Sequence, residues 1–191
     1  MQHRIAIFAS GSGSNALKIM EYFANHPTIK VALVVCNKKD AGVLLHANRY
    51  NIESVIISKS IFYETENVLE TLTTHNISCV VLAGFLLLIP EYIIKNYEKR
   101  IVNIHPALLP KFGGKGMFGH HVHEAVRAAN ESESGITIHF CNAQYDEGDV
   151  IFQAKCPVLS TDTPTDIAKK VLALEHKHFA PVIESILIAS A

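Results

Sequence analysis

The stretch that decides the fold is RIAIFASGSGSNALKIM, residues 4–20. The apolar run over residues 4–9 is typical of a buried strand, and a glycine-rich turn follows it directly. Beyond the turn, Leu17, Met20 and Phe23 recur at helical intervals and predict an amphipathic helix. A strand, a glycine turn and a helix in this order predict the first unit of an open α/β sheet.

The chain repeats this alternation of strand and helix as far as residue 104. We therefore predict a doubly wound, mostly parallel sheet of the α/β class. The further predicted strands are 30–36, 54–58, 78–84 and 100–104, and the helices between them are 41–50, 61–75 and 90–97.

The C-terminal part follows a different pattern. Two apolar runs, 135–141 and 149–158, are joined by only seven residues, NAQYDEG. So short a connection requires an antiparallel hairpin. A last helix is predicted over 163–189, with Asp162 or Thr163 as its cap. No repeat or linker divides the sequence, so we predict a single domain over residues 1–191.

The composition excludes several classes of protein. Lys plus Arg (17) nearly balances Asp plus Glu (18), and a net charge of -1 argues against a nucleic-acid or membrane-surface partner. The four cysteines show no paired spacing and indicate reduced, buried thiols. No apolar run has the length of a signal peptide or a membrane span, so we expect a cytoplasmic protein.

The glycine turn SGSGSN has the character of an anion site. Gly11, Gly13 and Ala16 fit the dinucleotide fingerprint, but the acid expected about 20 residues later is missing. Backbone N–H groups at the start of a helix suit a single phosphate. The alternative is a plain tight turn capped by the side chain of Ser14 or Asn15.

The end of the predicted fifth strand carries two side chains that could take part in catalysis. Period-two alternation places Asn103 and His105 on one face. An imidazole exchanges protons near neutral pH, and an amide can donate to a developing oxyanion, so the pair suits acyl transfer. A partner carboxylate is expected from the turn YDEGD, where Asp146, Glu147 and Asp149 remain alternatives.

Five segments, taken in order, resemble the folate-dependent formyltransferases over nearly the whole chain. They are ASGSGSN, VVLAGFLLLIP, NIHPALLPKFGG, GITIHF and YDEGDVIFQAKCPV. The resemblance implies transfer of a formyl group from 10-formyltetrahydrofolate, as co-substrate, to the amine of glycinamide ribonucleotide in purine synthesis. It implies that the partners are small molecules and that no metal is needed, and it allows a homodimer.

The resemblance also implies roles for individual residues. Asp146 would raise the pKa of His105 through its opposite charge, so that protonated His105 and Asn103 stabilise a tetrahedral oxyanion. The implied catalytic residues are Asn103, His105 and Asp146; the substrate-binding residues are Gly13, Ser14, Asn15 and Glu175; the folate-binding residues are Leu86, Leu87, Leu88, Ile89 and Asn103, with the loop 141–146 as the opposite wall.

The sequence departs from this family at a few positions. Leu87 stands where an arginine is common, and Thr65 stands where a basic residue is common. The loop 111–123 is long, and we predict a mobile loop that closes over substrate, with Lys115 near it. Its histidines at 120, 121 and 123 could in principle bind a metal, but no Cys or acid cluster lies nearby in sequence.

Three other functions are compatible with parts of this pattern. Methionyl-tRNA formyltransferase would add a tRNA-binding domain, and formyltetrahydrofolate hydrolase would add an N-terminal regulatory domain. A binding module without catalysis would not need the Asn103, His105 and Asp146 set.

Overall fold

A computed structural model describes residues 2–189 of the chain. Its centre is a seven-stranded sheet in the order β3-β2-β1-β4-β5-β6-β7. The strands are β1 (His3–Ala9), β2 (Ile29–Cys36), β3 (Glu53–Ile56), β4 (Cys79–Leu82), β5 (Ile101–His105), β6 (Glu133–Phe140) and β7 (Val150–Pro157). The helices are α1 (Ser14–Phe23), α2 (Gly42–Arg49), α3 (Lys59–Glu64), α4 (Asn67–Thr74), α5 (Glu91–Asn96), α6 (His120–Ala128) and α7 (Pro164–Ala189).

The direction of the strands matches the pattern read from the sequence. Strands β1 to β5 pair in parallel, while β6 is antiparallel to β5 and β7 is antiparallel to β6. The predicted doubly wound sheet with an antiparallel C-terminal hairpin is therefore confirmed.

Each face of the sheet is covered by its own set of helices. Along β1, Ile5 and Ile7 pack into one core with α1, α2 and α7, whereas Ala6 and Phe8 pack into a second core with α3, α4 and α5. This alternation explains why strands buried on both faces read as continuous apolar runs.

The helix predicted over 61–75 was wrong, because the structure has two helices there. The chain is extended at Thr65, between α3 and α4. The Thr65 hydroxyl donates to the Ile61 carbonyl at 2.8 Å and accepts the Asn67 N–H at 3.3 Å. A side chain that satisfies backbone groups in this way competes with the helix and ends it.

The last helix starts at a reciprocal cap. Thr163 Oγ1 accepts the Asp166 N–H at 3.2 Å, and the Asp166 carboxylate accepts the Thr163 N–H at 3.1 Å. Of the two predicted caps, Thr163 is therefore the one used. Among residues 2–189, no helix combines the length and apolarity needed to cross a bilayer.

The position of the functional site follows from the strand order. Between β1 and β4 the chain changes the side to which strands are added. In open α/β sheets, ligands bind at the carboxyl ends of the strands beside such a switch point. The turn after β1 and the ends of β4 and β5 meet at this edge.

Candidate active site

The end of β5 meets the β6–β7 connection at a cluster of polar side chains. His105 Nδ1 lies 3.4 Å from Asp146 Oδ2, and Asn103 Nδ2 lies 3.5 Å from Asp146 Oδ1. His105 is only 3% exposed. Of the other acids in the turn, Asp149 points outward to Lys99 at 3.6 Å and Glu147 is exposed. Geometry therefore selects Asp146 as the partner of His105.

Both ring nitrogens of His105 face an acceptor. Nε2 donates to the Phe112 carbonyl at 2.8 Å, and Nδ1 faces Asp146. Burial, the largest effect, lowers the pKa of His105 below its ordinary value of 6.5, although the Asp146 charge and the Phe112 carbonyl act to raise it. Asp146 thus pulls the pKa in the expected direction, but desolvation outweighs it.

The Asp146 carboxylate is held ionised by its neighbours. Its Oδ2 accepts the Gly114 N–H at 3.0 Å. Burial alone would raise the pKa of Asp146, but His139, His105 and the Gly114 N–H together hold it below the ordinary 3.8. The carboxylate is therefore available as a counter-charge or as a hydrogen-bond acceptor.

His139 belongs to this cluster, and the sequence analysis missed it. It is buried, and its Nε2 lies 3.1 Å from Asn103 Nδ2. Its Nδ1 donates to the Phe140 carbonyl at 2.9 Å, and its Nε2 also lies 3.6 Å from Asp146 Oδ1. The contact depends on the β5–β6 register, which pairs Asn103 directly with His139 and which local sequence patterns do not specify.

The turn after β1 presents a helix start without a side-chain cap. Gly13 precedes α1 with a φ of 78°, and no side chain caps the helix. The capped turn considered as the alternative is therefore absent. The first-turn N–H groups of α1 keep their capacity to bind an anion.

The Asn15 side chain turns instead to the last helix. Asn15 Nδ2 donates to Glu175 Oε2 at 2.6 Å, while Asn15 Oδ1 is buried without a partner. Glu175 is 8% exposed, and its burial raises the pKa of the carboxyl. An unpartnered amide oxygen beside a buried carboxyl is an arrangement that hydroxyl groups of a ligand could complete.

A cavity of about 640 Å³ connects these groups. This volume suits a drug-sized ligand. Its lining includes Asn15, Glu175 and the Asn103, His105 and Asp146 cluster, but Gly13 and Ser14 are not part of it. The residues predicted to bind folate line this cavity, namely Leu86, Leu87, Leu88 and Ile89. The loop 141–146 contributes Cys141, Asn142, Gln144 and Tyr145, and the loop 111–123 contributes Lys115, Met117 and Phe118.

The three histidines of that loop do not converge. His120 and His121 are exposed and approach Glu124 at 3.7 and 3.2 Å, whereas His123 is buried and lines the cavity. Within residues 2–189, no group of three or more His, Cys, Asp or Glu side chains is placed to hold a metal ion.

An amide, an imidazole and a carboxylate at the strand ends of an open α/β sheet, beside a ligand-sized cavity, define an enzyme of the acyl-transfer class. The family model for formyl transferase matches residues 3–183. The chain belongs to the formyl transferase family, which implies a formyl donor derived from folate and small-molecule substrates.

The relatives are similar over nearly the whole of this chain. The chloroplastic phosphoribosylglycinamide formyltransferase of Arabidopsis thaliana is 40% identical over 189 residues, which cover 96% of this chain and 65% of that protein. The enzyme of the same name from Bacillus subtilis is 32% identical, with coverage of 96% and 94%. This chain thus spans less than two thirds of the Arabidopsis protein but almost all of the bacterial one.

Solved structures agree with these sequence matches. The crystal structure of phosphoribosylglycinamide formyltransferase from Bacillus halodurans has a TM-score of 0.88 at 32% identity, covering 98% of this chain and 97% of that one. That from Anaplasma phagocytophilum also has a TM-score of 0.88, at 30% identity, with coverage of 96% and 86%.

Proposed function

We propose that this formyl transferase moves the formyl group of 10-formyltetrahydrofolate to the amine of 5'-phosphoribosylglycinamide. The products are formylglycinamide ribonucleotide and tetrahydrofolate, in de novo purine biosynthesis. The observation that carries the proposal is the Asn103, His105 and Asp146 cluster, with contacts of 3.4 and 3.5 Å, inside the cavity. The names of the relatives point to the same acceptor.

The two substrates would enter from opposite ends of the cavity. The phosphate of the ribonucleotide binds the N–H groups at Gly13, Ser14 and Asn15, which form a phosphate-binding loop at the start of α1. Glu175 and the unpartnered Asn15 oxygen face the ribose hydroxyls. The apolar wall 86–89 takes the pteridine ring of the folate.

The reaction is a transfer through a tetrahedral intermediate. The amine nitrogen attacks the formyl carbon, and the carbonyl electrons move onto the oxygen. Asn103 offers the oxyanion the amide hydrogen that reaches Asp146 only at 3.5 Å. The His105 Nε2–H, held in this structure by the Phe112 carbonyl, turns to the oxyanion when substrate is bound.

Proton transfer completes the reaction. The amine loses one proton as the new C–N bond forms, and the folate N10 gains one as its bond to the formyl carbon breaks. Water beside Asp146 carries this proton from the amine to N10, and the carboxylate, kept ionised by its neighbours, orients the relay as a hydrogen-bond acceptor. Protein groups and water suffice for this balance, and we infer that the enzyme needs no metal.

A tetrahydrofolate-release assay tests the proposal. Release should require glycinamide ribonucleotide, and His105→Ala and Asp146→Ala should abolish most of it. Release without any acceptor would favour a hydrolase, and release that depends on methionyl-tRNA would favour a tRNA formyltransferase. Wild-type turnover by either variant would contradict the catalytic assignment.

We also infer that the enzyme is cytoplasmic, has a single domain and binds neither nucleic acid nor a membrane. A homodimer is compatible with the fold. The support for one domain is the continuous sheet and a family match that spans residues 3–183. The support for small-molecule partners is the near-zero net charge of -1.

A further inference from the structure

A buried hydroxyl lies beneath the segment that follows His105. Thr137 on β6 is fully buried and pairs directly with His105 across the β5–β6 ladder. On its other side it pairs with Gln153 on the edge strand β7. Directly opposed residues in a sheet share a face, so the three side chains form one row.

The Thr137 hydroxyl uses its full hydrogen-bonding capacity. It donates to the Ala107 carbonyl at 2.7 Å and accepts the Leu109 N–H at 2.9 Å. Its remaining lone pair accepts Gln153 Nε2–H at 2.8 Å. A hydroxyl has one donor and two acceptor positions, so no position is left unused.

Gln153 ties the same segment a second time. Its Nε2 also donates to the Leu109 carbonyl at 3.0 Å. Because that carbonyl can only accept, the amide nitrogen of Gln153 must be the atom that faces it. Gln153 is itself exposed, whereas its partners Thr137 and Leu109 are buried.

The segment held in this way supplies backbone groups to both members of the catalytic ion pair. Three residues beyond Leu109, the Phe112 carbonyl accepts from His105 Nε2 at 2.8 Å. The Gly114 N–H donates to Asp146 Oδ2 at 3.0 Å. A shift of the segment would therefore move a partner of His105 and a partner of Asp146 together.

We propose that Thr137 and Gln153 form a positioning clamp that fixes segment 107–114, so that the Phe112 carbonyl and the Gly114 N–H orient His105 and Asp146. Neither clamp residue touches the reacting atoms in this scheme. The kinetic part of this inference rests on the proposed function, whereas its spectroscopic part does not.

The test combines NMR titration of the ligand-free protein with steady-state kinetics. Thr137→Val keeps the shape but removes the hydroxyl. Because the Phe112 carbonyl raises the pKa of His105 and the Gly114 N–H lowers that of Asp146, Thr137→Val should lower the first pKa and raise the second. The kcat should fall about 10- to 100-fold, with smaller changes in KM, as for a misplaced catalytic group.

Matched variants separate positioning from general damage. Thr137→Ser restores the hydroxyl and should return both titrations and kcat toward wild type. Gln153→Met should give smaller shifts of the same sign, because water can replace an exposed amide. Lys155→Met, on the same strand, breaks only the exposed pair with Glu133 and should change nothing. The other charged or titratable groups that face His105 are His139 and His123, and these variants leave both in place.

Each outcome decides the matter. Unchanged titrations in Thr137→Val would overturn the clamp, even if kcat fell, because the effect would not pass through Phe112 and Gly114. If Thr137→Val does not fold, equal behaviour of Gln153→Met and Lys155→Met would overturn it. Shifted titrations in a protein that transfers no formyl group to glycinamide ribonucleotide would support the clamp and refute the proposed function.

Discussion

Replacing Asp146 by asparagine removes the charge beside His105 while keeping the shape of the side chain. With His105 protonated, its Nδ1 and Asp146 Oδ2 place two unit charges 3.4 Å apart, which interact by about 5 kcal/mol at an effective dielectric constant of about 20. Since about 1.4 kcal/mol is a factor of ten in rate, the pair sets a ceiling of about three to four orders of magnitude on the loss of kcat.

The measured loss should be smaller than this ceiling. Burial already offsets part of the attraction, as the lowered pKa of His105 indicates. We expect Asp146→Asn to lower kcat about 100- to 1,000-fold, within the usual range for general acid–base groups. The pKa of His105 should fall further, because the charge that raised it is gone.

The variant also carries a small structural penalty. Gly114 N–H needs an oxygen at the Oδ2 position, which turns the new amide NH2 toward the Asn103 amide. Two donors then face each other, and the free energy of unfolding should fall by about 1–2 kcal/mol.

Steady-state kinetics, urea unfolding and an NMR titration of His105 measure these three effects. Asp149→Asn is the control, because that carboxylate lies on the same turn but pairs with exposed Lys99 and not with His105 among residues 2–189. Wild-type kcat in Asp146→Asn, or an equal loss in Asp149→Asn, would refute the reasoning.

Three further predictions concern the rest of the site. Glu175→Gln should raise the free energy of unfolding at neutral pH, because burial raises the pKa of Glu175 and its charge therefore costs stability above pH 4.5. Urea unfolding below that pH should show no gain in stability. The same variant should weaken ribonucleotide binding. Gly13→Ala should lower the free energy of unfolding by about 2–4 kcal/mol, since Gly13 has a φ of 78° and an added Cβ would lie 2.7 Å from Val43 Cβ. The control is Gly11→Ala, whose Cβ would meet nothing within 4 Å and which should leave urea unfolding unchanged. Burial lowers the pKa of His123, so the free energy of unfolding should fall as the pH drops below 6.5. His123→Gln should reduce this dependence of stability on pH, as measured by unfolding experiments above and below pH 6.5.

The sequence predicted the sheet because its signals are local. Continuous apolar runs marked the buried strands, and the short NAQYDEG turn required the hairpin. Another local pattern, the period-two alternation of a strand, predicted that Asn103 and His105 share one face at a strand end. Their catalytic roles, and that of Asp146, stay predictions until variants are assayed.

What the sequence did not predict depends on pairing between distant strands. His139 meets Asn103 only because β5 and β6 pair in one register, and Thr137 meets Gln153 for the same reason on β7. The spacing of the acids left Asp146, Glu147 and Asp149 open, and only the family resemblance pointed to Asp146, which the structure places 3.4 Å from His105. The break at Thr65 required a side-chain hydrogen bond that periodicity does not register.

The hydrogen bond between Asn15 and Glu175 joins residues 160 positions apart. During synthesis on a ribosome, the glycine turn before α1 would emerge long before α7, which closes the other side of the proposed acceptor site. A nascent or truncated chain that lacks α7 would carry His105 but only part of the proposed binding site for the acceptor. Affinity for the acceptor should therefore arise only when the two ends of the polypeptide have docked, which makes ligand capture a reporter of complete folding.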